Sequence, residues 1–523
     1  NIYRNIQYEI KNLTNIEKKI LYANRHFFAG HEIWIRQLIR AEIYDGLSEI
    51  KIHSCKNLMC NKICGKIPFS PGIILSDGNI LSEKIQLYAL DQMANYKNYI
   101  SYLIEQSLKS PFSIIIDWLI DRASDCIETA NDIYWHIKCA MTDGLNDTII
   151  NKYKSYMIKW NQKIPTDFKN RIFGGEKIIK ILENFYSGKL EEDITIALKK
   201  INIIPSHIKI DDLYFDGVIY KKSASSPIII SFFYYFDAIY DEDEYNLSPI
   251  LKGIPFGKEK KHIKILYKPE DIRKDQVIMS VINVVDQILK SEIGDMFIKK
   301  YKILPTSKSG GLIEIVEGET LYNIYKHKTV FGHITENNPD TMPKILRDRF
   351  LKSTAAYCAI TYLLGVGDRH LDNIMISQDG LLFHIDYGFI LGSDPKYIDE
   401  IRVSEDLIKA LGGDTEKFKD LCANKIYNIL RQYLHLIYQL LSVLPTIGIK
   451  IDKIYRTIYK KFIPGASNQY AKMFIYEGMN RSSFKYKIVD ILHSSQQDGF
   501  IKNINSSLKY LKSVFNIFAK KNI

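Results

Sequence analysis

The chain has 523 residues, a formal net charge of +11 and a pI near 8.9. This length is too great for one compact core and predicts two or three domains. The positive charge favours an anionic partner such as a nucleotide, a nucleic acid or an acidic lipid surface, although a Lys- and Asn-rich composition weakens that inference. Seven cysteines without the spacing of a secreted scaffold argue against disulfides, and no apolar run reaches the ~18 residues of a membrane-spanning helix.

Residues 1–195 have helical periodicity and few strand signals. Apolar positions recur at helical spacing after Ser82, a residue suited to an N-cap. SPFSIIIDWLIDRAS (110–124) and DIYWHIKCAM (132–141) continue the pattern as short helices. We therefore expect a solenoid-like α-helical accessory domain over residues 1–195. Because the chain begins at Asn1 without a methionine or a signal-like segment, we also expect it to be a piece of a longer protein.

One cluster in this region could bind a metal ion. It consists of His53, Cys55, Cys60 and Cys64. Because their spacing matches no strong zinc pattern, zinc binding is the less favoured interpretation.

Strand signals begin near Ile204. The β-branched and aromatic runs IIISFFYY (228–235), KHIKILYK (261–268) and GGLIEIV (310–316) are bounded by Gly, Pro or Asp and predict strands. Between the last two, DQVIMSVINVVDQILKS (275–291) predicts a helix.

Beyond about residue 345 the pattern is helical again. The exception is IMISQDGLLFHID (374–386), in which QDG supplies a hairpin turn. A β-rich lobe followed by a helical lobe predicts a bilobal α+β catalytic domain with a kinase-like fold. Its expected bounds are residues 196–523, with the N-lobe ending at about 318.

A short stretch of this domain, GVGDRHLDNIMISQDGLLFHIDYG (365–388), concentrates polar residues between apolar runs. Asn373 follows Asp368 by five positions, and Asp386 follows in a DYG triplet after the hairpin. Protein kinases place their catalytic Asp, their metal-binding Asn and their second metal-binding Asp in this order. The spacing therefore predicts phosphoryl transfer.

The triplet at the start of this stretch reads Asp-Arg-His, the reverse of the protein-kinase order. His370 adds an imidazole that can accept a proton at physiological pH. The alternative is that Asp368 and Arg369 form a structural ion pair and that His370 is a buried core residue. That alternative is disfavoured because other kinase parts lie upstream.

Two of these parts are a lysine and a small-residue loop. Lys268 ends a predicted strand, as a phosphate-pairing lysine does, although an edge-strand lysine in a basic patch would look similar. No G-x-G-x-x-G loop is present. Instead YKKSASSP (220–227) lies between two predicted strands, and its small residues would let backbone N–H groups approach phosphates.

Together, GDRHLDN, HIDYGFILG, DIRKDQ and KKSASSP resemble the phosphoinositide 3-kinase/4-kinase family, and most closely its class III, vacuolar protein sorting type. The resemblance runs through the whole chain. IYWHIKCA resembles the helical accessory domain of that family, and AAYCAITYLLGVGDRHLDN resembles its catalytic lobe.

The resemblance implies a role for several individual residues. On the nucleotide side, it implies that Ser223 belongs to the phosphate loop and that Lys268 contacts the phosphates. Asp275 and Tyr301 resemble the polar pair behind adenine. The adenine hinge would consist of Glu314, Ile315 and Val316. On the catalytic side, it implies that Asp368 and His370 form the catalytic-loop pair, with His370 as the base for the inositol hydroxyl. Asn373 and Asp386 resemble the metal ligands.

Three departures from the family pattern stand out. IRKDQ (272–276) replaces the usual Leu-Arg-Gln-Asp-Gln, and the turn after Lys268 is one residue short. DYG replaces DFG. The activation segment reads YIDEIRVSE (397–405) where the class III pattern is proline-rich. None of these changes removes a group expected to act in catalysis.

Two further segments bear on the lipid that would accept the phosphate and on membrane binding. FILGSDPKYIDEIRVSE (389–405) holds two bases and four acids, which favours unphosphorylated phosphatidylinositol over a lipid with additional phosphates. INSSLKYLKSVFNIFAKKNI (504–523) is a basic amphipathic stretch. It suits either a helix in the membrane interface or a helix packed on the kinase core, and both remain open.

The resemblance implies a lipid kinase that transfers the ATP γ-phosphate to the 3-hydroxyl of phosphatidylinositol, with Mg²⁺ or Mn²⁺. It further implies a peripheral location on endosomal, vacuolar or autophagic membranes, a kinase-like regulatory subunit and a Beclin-type subunit, and no nucleic-acid partner. The alternatives are a phosphatidylinositol 4-kinase, a protein kinase of the related large Ser/Thr family and a catalytically dead scaffold of a sorting complex. Whether a C2 domain precedes Asn1 stays open.

Overall fold

The computed structural model describes residues 86–87, 90–91, 93, 96–142, 146–199, 214–221, 226–239, 255–393 and 403–479. Several predictions lie outside these residues: the N-cap at Ser82, the cluster at 53–64, the phosphate-loop Ser223, most of the activation segment and the stretch 504–523.

The described part of the N-terminal region is helical. A 3₁₀ turn, Tyr96–Tyr99, leads into its helices, which are α1 (Ile100–Lys109), α2 (Ile114–Ala123), α3 (Ile127–Met141), α4 (Asp147–Lys163), α5 (Thr166–Tyr186) and α6 (Ile194–Lys199). The Asn146 side chain caps α4 by accepting the N–H of Ile149 at 3.0 Å. Trp160 of α4 is fully buried and donates to Ala130 O of α3 at 3.0 Å. The helices predicted over 110–124 and 132–141 are confirmed.

Within the described residues of the N-lobe, five strands form an antiparallel sheet in the order β1-β2-β3-β5-β4. The strands are β1 (Tyr214–Tyr220), β2 (Ile228–Ile239), β3 (Pro255–Lys268), β4 (Ile303–Ser307) and β5 (Gly310–Glu314). On β3, Ile265 and Tyr267 are buried while Lys268 points to the opposite face, as the two-residue period of a strand requires. Lys268 is the last residue of β3, as the sequence predicts, and it pairs with Gly311 of β5.

Helix α7 (Arg273–Ile293) packs beside this sheet and confirms the helix predicted over 275–291. Its buried face is apolar except for Asp275 and Asp286, which are 3% and 1% exposed. Asp286 receives Lys290 at 3.1 Å and also Lys300, so its charge is paired. Asp275 belongs to the candidate site.

The C-lobe is mainly helical, around a small sheet in the order β6-β7-β8. Its elements up to the small sheet are β6 (Gly318–Thr320), α8 (Leu321–His327), α9 (Val330–Asn337), α10 (Pro343–Leu364), β7 (Ile374–Ser377) and β8 (Leu382–His384). After it come α11 (Glu405–Ala410), α12 (Thr415–Lys419), the π-helical Asp420–Tyr427, α13 (Asn428–Gln432), α14 (Leu434–Leu441), the 3₁₀ turn Leu444–Ile447 and α15 (Ile451–Phe462). Residues 468–479 are helical too.

Helix α10 runs through the core of the C-lobe and ends where the polar stretch begins. Pro343 occupies its first turn, and Gly365 ends it with a left-handed φ of 56°. A side chain at Gly365 would place a Cβ only 2.6 Å from the backbone nitrogen of Gly392. Glycine is therefore required where the chain leaves the core toward Asp368.

The predicted hairpin is present. β7 and β8 pair antiparallel, and Gly380 takes a φ of 79° in the turn between them. Among the described residues, no helix combines the length and apolar character needed to cross a bilayer. The predicted fold class is confirmed: a helical N-terminal region is followed by a bilobal α+β kinase fold with a β-rich N-lobe and a helical C-lobe.

Candidate active site

The two lobes meet at an ion pair between Lys268 and Asp386. Lys268 Nζ donates to Asp386 Oδ2 at 3.2 Å and also contacts the Glu270 carboxylate. The Lys268 side chain is only 12% exposed, whereas that of Asp386 is 40% exposed and so remains accessible from the cleft. Asp386 also accepts the backbone N–H of Gly388 at 3.2 Å, which fixes its carboxylate.

The charges around Lys268 shift one another's pKa values. Burial alone would lower the pKa of Lys268, but the carboxylates of Asp386, Asp275 and Glu270 outweigh it and raise the pKa. Burial would raise the pKa of Asp386, yet the nearby ammonium of Lys268 and the Gly388 N–H lower it. Lys268 is therefore a cation and Asp386 an anion at neutral pH, as phosphate binding and metal binding require.

Asp275 lies beside this pair, in the first turn of α7. Its Oδ1 accepts the backbone N–H of Tyr387 at 2.7 Å, so α7 is tied to the DYG triplet. Burial raises the pKa of Asp275 to about 6, with Lys268 opposing the shift and Asp386 reinforcing it. Asp275 thus titrates near physiological pH.

Arg369 holds the catalytic loop against the strand that leads to Asp386. The guanidinium is 3% exposed and donates to Gly367 O at 2.7 Å, to Ile385 O at 2.8 Å and to Asp386 O. Asp368 and Asp386 both have a left-handed φ, 54° and 61°. These strained conformations persist because Arg369 binds the backbone around them, a role that the sequence did not reveal.

In the catalytic loop, Asp368, His370 and Asn373 are brought together. His370 Nε2 lies 3.7 Å from Asp368 Oδ2, and His370 Nδ1 accepts the backbone N–H of Asp372 at 3.3 Å. An accepting Nδ1 places the proton of a neutral imidazole on Nε2. In this arrangement His370 directs its Nε2 toward the Asp368 carboxylate, at a distance longer than a direct hydrogen bond.

The donor set suits a divalent cation bound together with phosphates. Asn373 donates its side-chain amide to Asp368 O at 3.0 Å, which leaves its carbonyl oxygen as the atom able to ligate a cation. Asp386 supplies a carboxylate, and Arg369 connects the backbones of both residues. The described residues contain no group of three His, Cys, Asp or Glu side chains arranged for a metal ion. Two oxygen donors fit Mg²⁺, which completes its coordination with phosphates and water.

The predicted adenine side lies along β4, β5 and the residues after β5. Tyr301 is buried, and its hydroxyl donates to His384 O at 3.3 Å. Glu314 and Ile315 donate their backbone N–H groups to Lys302 O at 2.9 Å and to Lys264 O at 3.2 Å.

Val316 differs from its two neighbours. Its N–H has no backbone partner within the part of the chain that the structure describes. Of the three hinge residues, it is thus the one able to donate to a base.

The helical region contacts the N-lobe close to this hinge. Glu128 of α3 accepts Lys97 at 2.9 Å and Lys302 at 3.2 Å, and the backbone N–H of Lys302 donates to the Glu314 carboxylate at 2.8 Å. A cavity of ≈ 270 Å³ lies between the two regions. Sequence reasoning missed this link, because Glu128 and Lys302 have no local pattern that pairs them.

The structure therefore brings together the predicted residues of the phosphate and catalytic side that it describes, while Glu314, Ile315 and Val316 lie along the N-lobe sheet. Lys268, Asp275 and Asp386 form one charge cluster, and Asp368, His370 and Asn373 adjoin it through Arg369. Ser223 lies outside the described residues.

This fold and this site define a bilobal kinase domain, a class that in general uses ATP and divalent metal ions. Residues 262–446 match the family model of the phosphatidylinositol 3- and 4-kinases. This part of the chain is therefore similar to a phosphatidylinositol 3- and 4-kinase domain, as the sequence motifs predict.

Relatives support the same assignment. Phosphatidylinositol 3-kinase pik3 of Schizosaccharomyces pombe is 27% identical over 542 residues, covering 92% of this chain and 64% of the relative. Phosphatidylinositol 3-kinase VPS34 of Saccharomyces cerevisiae is 38% identical over 191 residues, 34% of this chain and 22% of the relative. Its namesake in Candida glabrata is 31% identical over 371 residues, 66% of this chain and 39% of the relative. The chain thus spans less than two thirds of the length of these relatives.

Proposed function

We propose that this protein transfers the γ-phosphate of ATP to the 3-hydroxyl of phosphatidylinositol, producing phosphatidylinositol 3-phosphate. The observation that carries the proposal is the ion pair of Lys268 with Asp386, which joins a phosphate-binding cation to a metal-ligand carboxylate across the cleft. The names of the relatives, all phosphatidylinositol 3-kinases, favour the 3-hydroxyl over the 4-hydroxyl.

Each part of the site has a role in this proposal. Val316 donates to adenine, while Glu314 and Ile315 hold the hinge in place. Asp275 and Tyr301 form the polar back of the adenine pocket. Lys268 binds phosphate oxygens, assisted by the backbone of the loop that contains Ser223.

At the catalytic end, Asn373 and Asp386 would hold Mg²⁺ or Mn²⁺. When bound, the metal neutralises charge on the phosphates. The Asp368–His370 pair orients the inositol hydroxyl and accepts its proton. With the geometry described above, Asp368 takes the proton and His370 Nε2 faces it; His370, the base that the resemblance implies, takes this role if its contact with Asp372 opens.

The remaining proposals concern organisation and setting. We assign residues 1–195 to a helical accessory domain and residues 196–523 to the catalytic domain. The protein acts on endosomal, vacuolar or autophagic membranes, where it serves trafficking. A kinase-like regulatory subunit and a Beclin-type subunit are the expected partners, since the chain resembles class III enzymes.

A direct assay tests the proposed reaction. Purified protein is incubated with radiolabelled ATP, Mg²⁺ and phosphatidylinositol vesicles. The lipid product is then deacylated, and its headgroups are separated according to the inositol position that carries the label. Label on the 3-position supports the proposal. Label on the 4-position would instead indicate the 4-kinase, and an absence of lipid labelling with retained nucleotide binding would indicate a scaffold.

A further inference from the structure

Two lysines from different lobes converge on the segment that follows Asp386. Lys274, in the first turn of α7, donates from Nζ to Gly388 O at 3.4 Å. Lys453 of α15 contacts the Ser393 hydroxyl. Thr457, one turn further along α15, donates to Leu391 O at 3.1 Å and holds that helix against the same segment. Residues 388–393 are therefore contacted by a cation near each end.

The two ammonium groups lie close enough to affect each other. Partial burial, and then the positive charge of Lys274, lower the pKa of Lys453. Within the described residues, neither lysine forms an ion pair with a carboxylate. Asp271 lies within electrostatic reach of Lys274, but it is already bound by Arg273 at 2.9 and 2.7 Å. Two partly buried like charges without a carboxylate between them favour binding of an anion.

We propose that Lys274 and Lys453 bind the phosphodiester of the lipid acceptor, the phosphate that links inositol to glycerol. This rests on the proposed function, since it locates the headgroup of that substrate. The segment that they contact starts two residues after Asp386 and continues into the stretch expected to face the headgroup. A phosphodiester carries one negative charge, which two lysines can share through charge-assisted hydrogen bonds.

The assignment also resolves a difficulty in the sequence. Residues 389–405 carry more acids than bases, so this stretch alone has too few cations to hold a phosphate. In the fold, α7 and α15 supply the cations from outside it. Lys274 occupies the position of the glutamine in the usual Leu-Arg-Gln-Asp-Gln motif. The Lys274→Gln variant therefore tests the role of this lysine by introducing the side chain typical of the family.

The test uses the full chain and the variants Lys274→Gln and Lys453→Gln. Lys450→Gln is the matched control, because Lys450 is exposed and directly precedes α15. The acceptor is a soluble short-chain phosphatidylinositol, which separates headgroup binding from vesicle binding. We expect each of the two variants to raise the KM for this acceptor about 10- to 100-fold, with the KM for ATP changed less than about twofold. Lys450→Gln should match the wild type.

A binding measurement separates the two sources of phosphate. Calorimetry should show glycerophosphoinositol binding to the wild-type protein more tightly than inorganic phosphate, and this preference should disappear in Lys274→Gln and Lys453→Gln. Lys274→Arg and Lys453→Arg should retain it, since they keep the charge and so show that folding is intact. Equal affinity for inorganic phosphate would indicate a general phosphate site and overturn the lipid assignment.

The kinetic outcomes also keep this inference distinct from the proposed function. If the wild type phosphorylates phosphatidylinositol and the two Gln variants are indistinguishable from Lys450→Gln, the inference is wrong and the proposed function stands. A rise in the KM for ATP in place of the KM for the acceptor would assign the lysines to nucleotide phosphates. If the wild type labels no phosphatidylinositol, the proposed function itself fails.

Discussion

Lys268 Nζ and Asp386 Oδ2 lie 3.2 Å apart, although 118 residues separate them in the chain. The pair joins the end of β3 in the N-lobe to the DYG triplet in the C-lobe. Glu270 contacts the same ammonium, so Lys268 is surrounded by acids. Nucleotide phosphates must therefore share Lys268 with these carboxylates, and a divalent cation at Asp386 would weaken that competition.

Asp386→Asn should nearly abolish lipid phosphorylation while the protein stays folded. The substitution keeps the shape of the side chain and removes the charge of a metal ligand, and the side chain is 40% exposed, so little packing is lost. The measurement is the initial rate of lipid labelling beside a thermal melting curve. A turnover within tenfold of the wild type would contradict the metal-ligand assignment.

His370→Ala should lower kcat far more than it raises the KM for ATP. Loss of a group that assists proton transfer typically costs ~10²–10⁴-fold in rate. Steady-state kinetics of His370→Ala and Asp368→Asn decide which residue is the base. If Asp368→Asn costs more in kcat than His370→Ala does, Asp368 is the base, as the contact between His370 and Asp372 indicates.

The two variants also have a contrary outcome. If His370→Ala leaves kcat intact and weakens ATP binding, then His370 positions the nucleotide and takes no part in proton transfer. Asp372→Ala is a suitable control, because it retains the backbone N–H that His370 accepts.

Asp275→Asn should make the protein more stable at neutral pH. Burial raises the pKa of Asp275 to about 6, above its ordinary value of 3.8, so the folded state binds its proton more tightly than the unfolded state does. Stability of the wild type therefore falls as the pH rises from about 4 to about 6. The amide stays neutral and its oxygen can still accept the N–H of Tyr387.

The check is urea unfolding of both proteins between pH 4.5 and pH 7.5. The free energy of unfolding of Asp275→Asn should exceed that of the wild type by an amount that grows with pH and levels off above about pH 6.5, reaching on the order of 1–3 kcal/mol. A constant difference across this range would show that Asp275 does not titrate there. Lipid labelling by the variant should fall, since Asp275 belongs to the charge cluster around Lys268.

Local patterns were enough to predict the elements and the polar motifs. The strand that ends at Lys268, the helix over 275–291 and the turn at Asp379–Gly380 all depend on short-range periodicity and turn chemistry, which the sequence displays directly. The five-residue spacing of Asp368 and Asn373 accommodates one 3₁₀ turn, Leu371–Asn373, which ends at Asn373.

Long-range contacts could not be predicted in the same way. Arg369 was considered as an ion-pair partner of Asp368, yet its described hydrogen bonds go to the backbone carbonyls of Gly367, Ile385 and Asp386. Carbonyl positions depend on how two loops pack, and no residue type marks them in a sequence. The convergence of Lys274 and Lys453 and the contact of Glu128 with Lys302 depend in the same way on packing between distant elements.

Glu128→Gln should weaken the contact between the helical region and the N-lobe at Lys302. Glu128 accepts two lysines, and although burial opposes the shift, those lysines lower its pKa to about 2. Its ionised form therefore contributes stability above about pH 4.5, and this contribution is lost as the pH falls toward 2. At neutral pH we expect a loss of about 1 kcal/mol in the free energy of unfolding, shrinking in high salt.

Glu336→Gln is the matched control for this prediction. Glu336 pairs with Lys328 on the surface, its side chain is 61% exposed, and its loss should change stability less than the loss of Glu128 does. Denaturant unfolding at low and high salt gives the comparison. Equal effects of the two substitutions would mean that the Glu128 contact adds no more than an ordinary surface ion pair.

The central claim is that the site around Lys268 and Asp386 phosphorylates the 3-hydroxyl of phosphatidylinositol. The most direct measurement is the position of the radiolabel in lipid product made from ATP and phosphatidylinositol vesicles, with the Asp386→Asn protein run in parallel. The account predicts label on the 3-position with the wild type and almost none with the variant. Label on another hydroxyl, or equal labelling by both proteins, would contradict it.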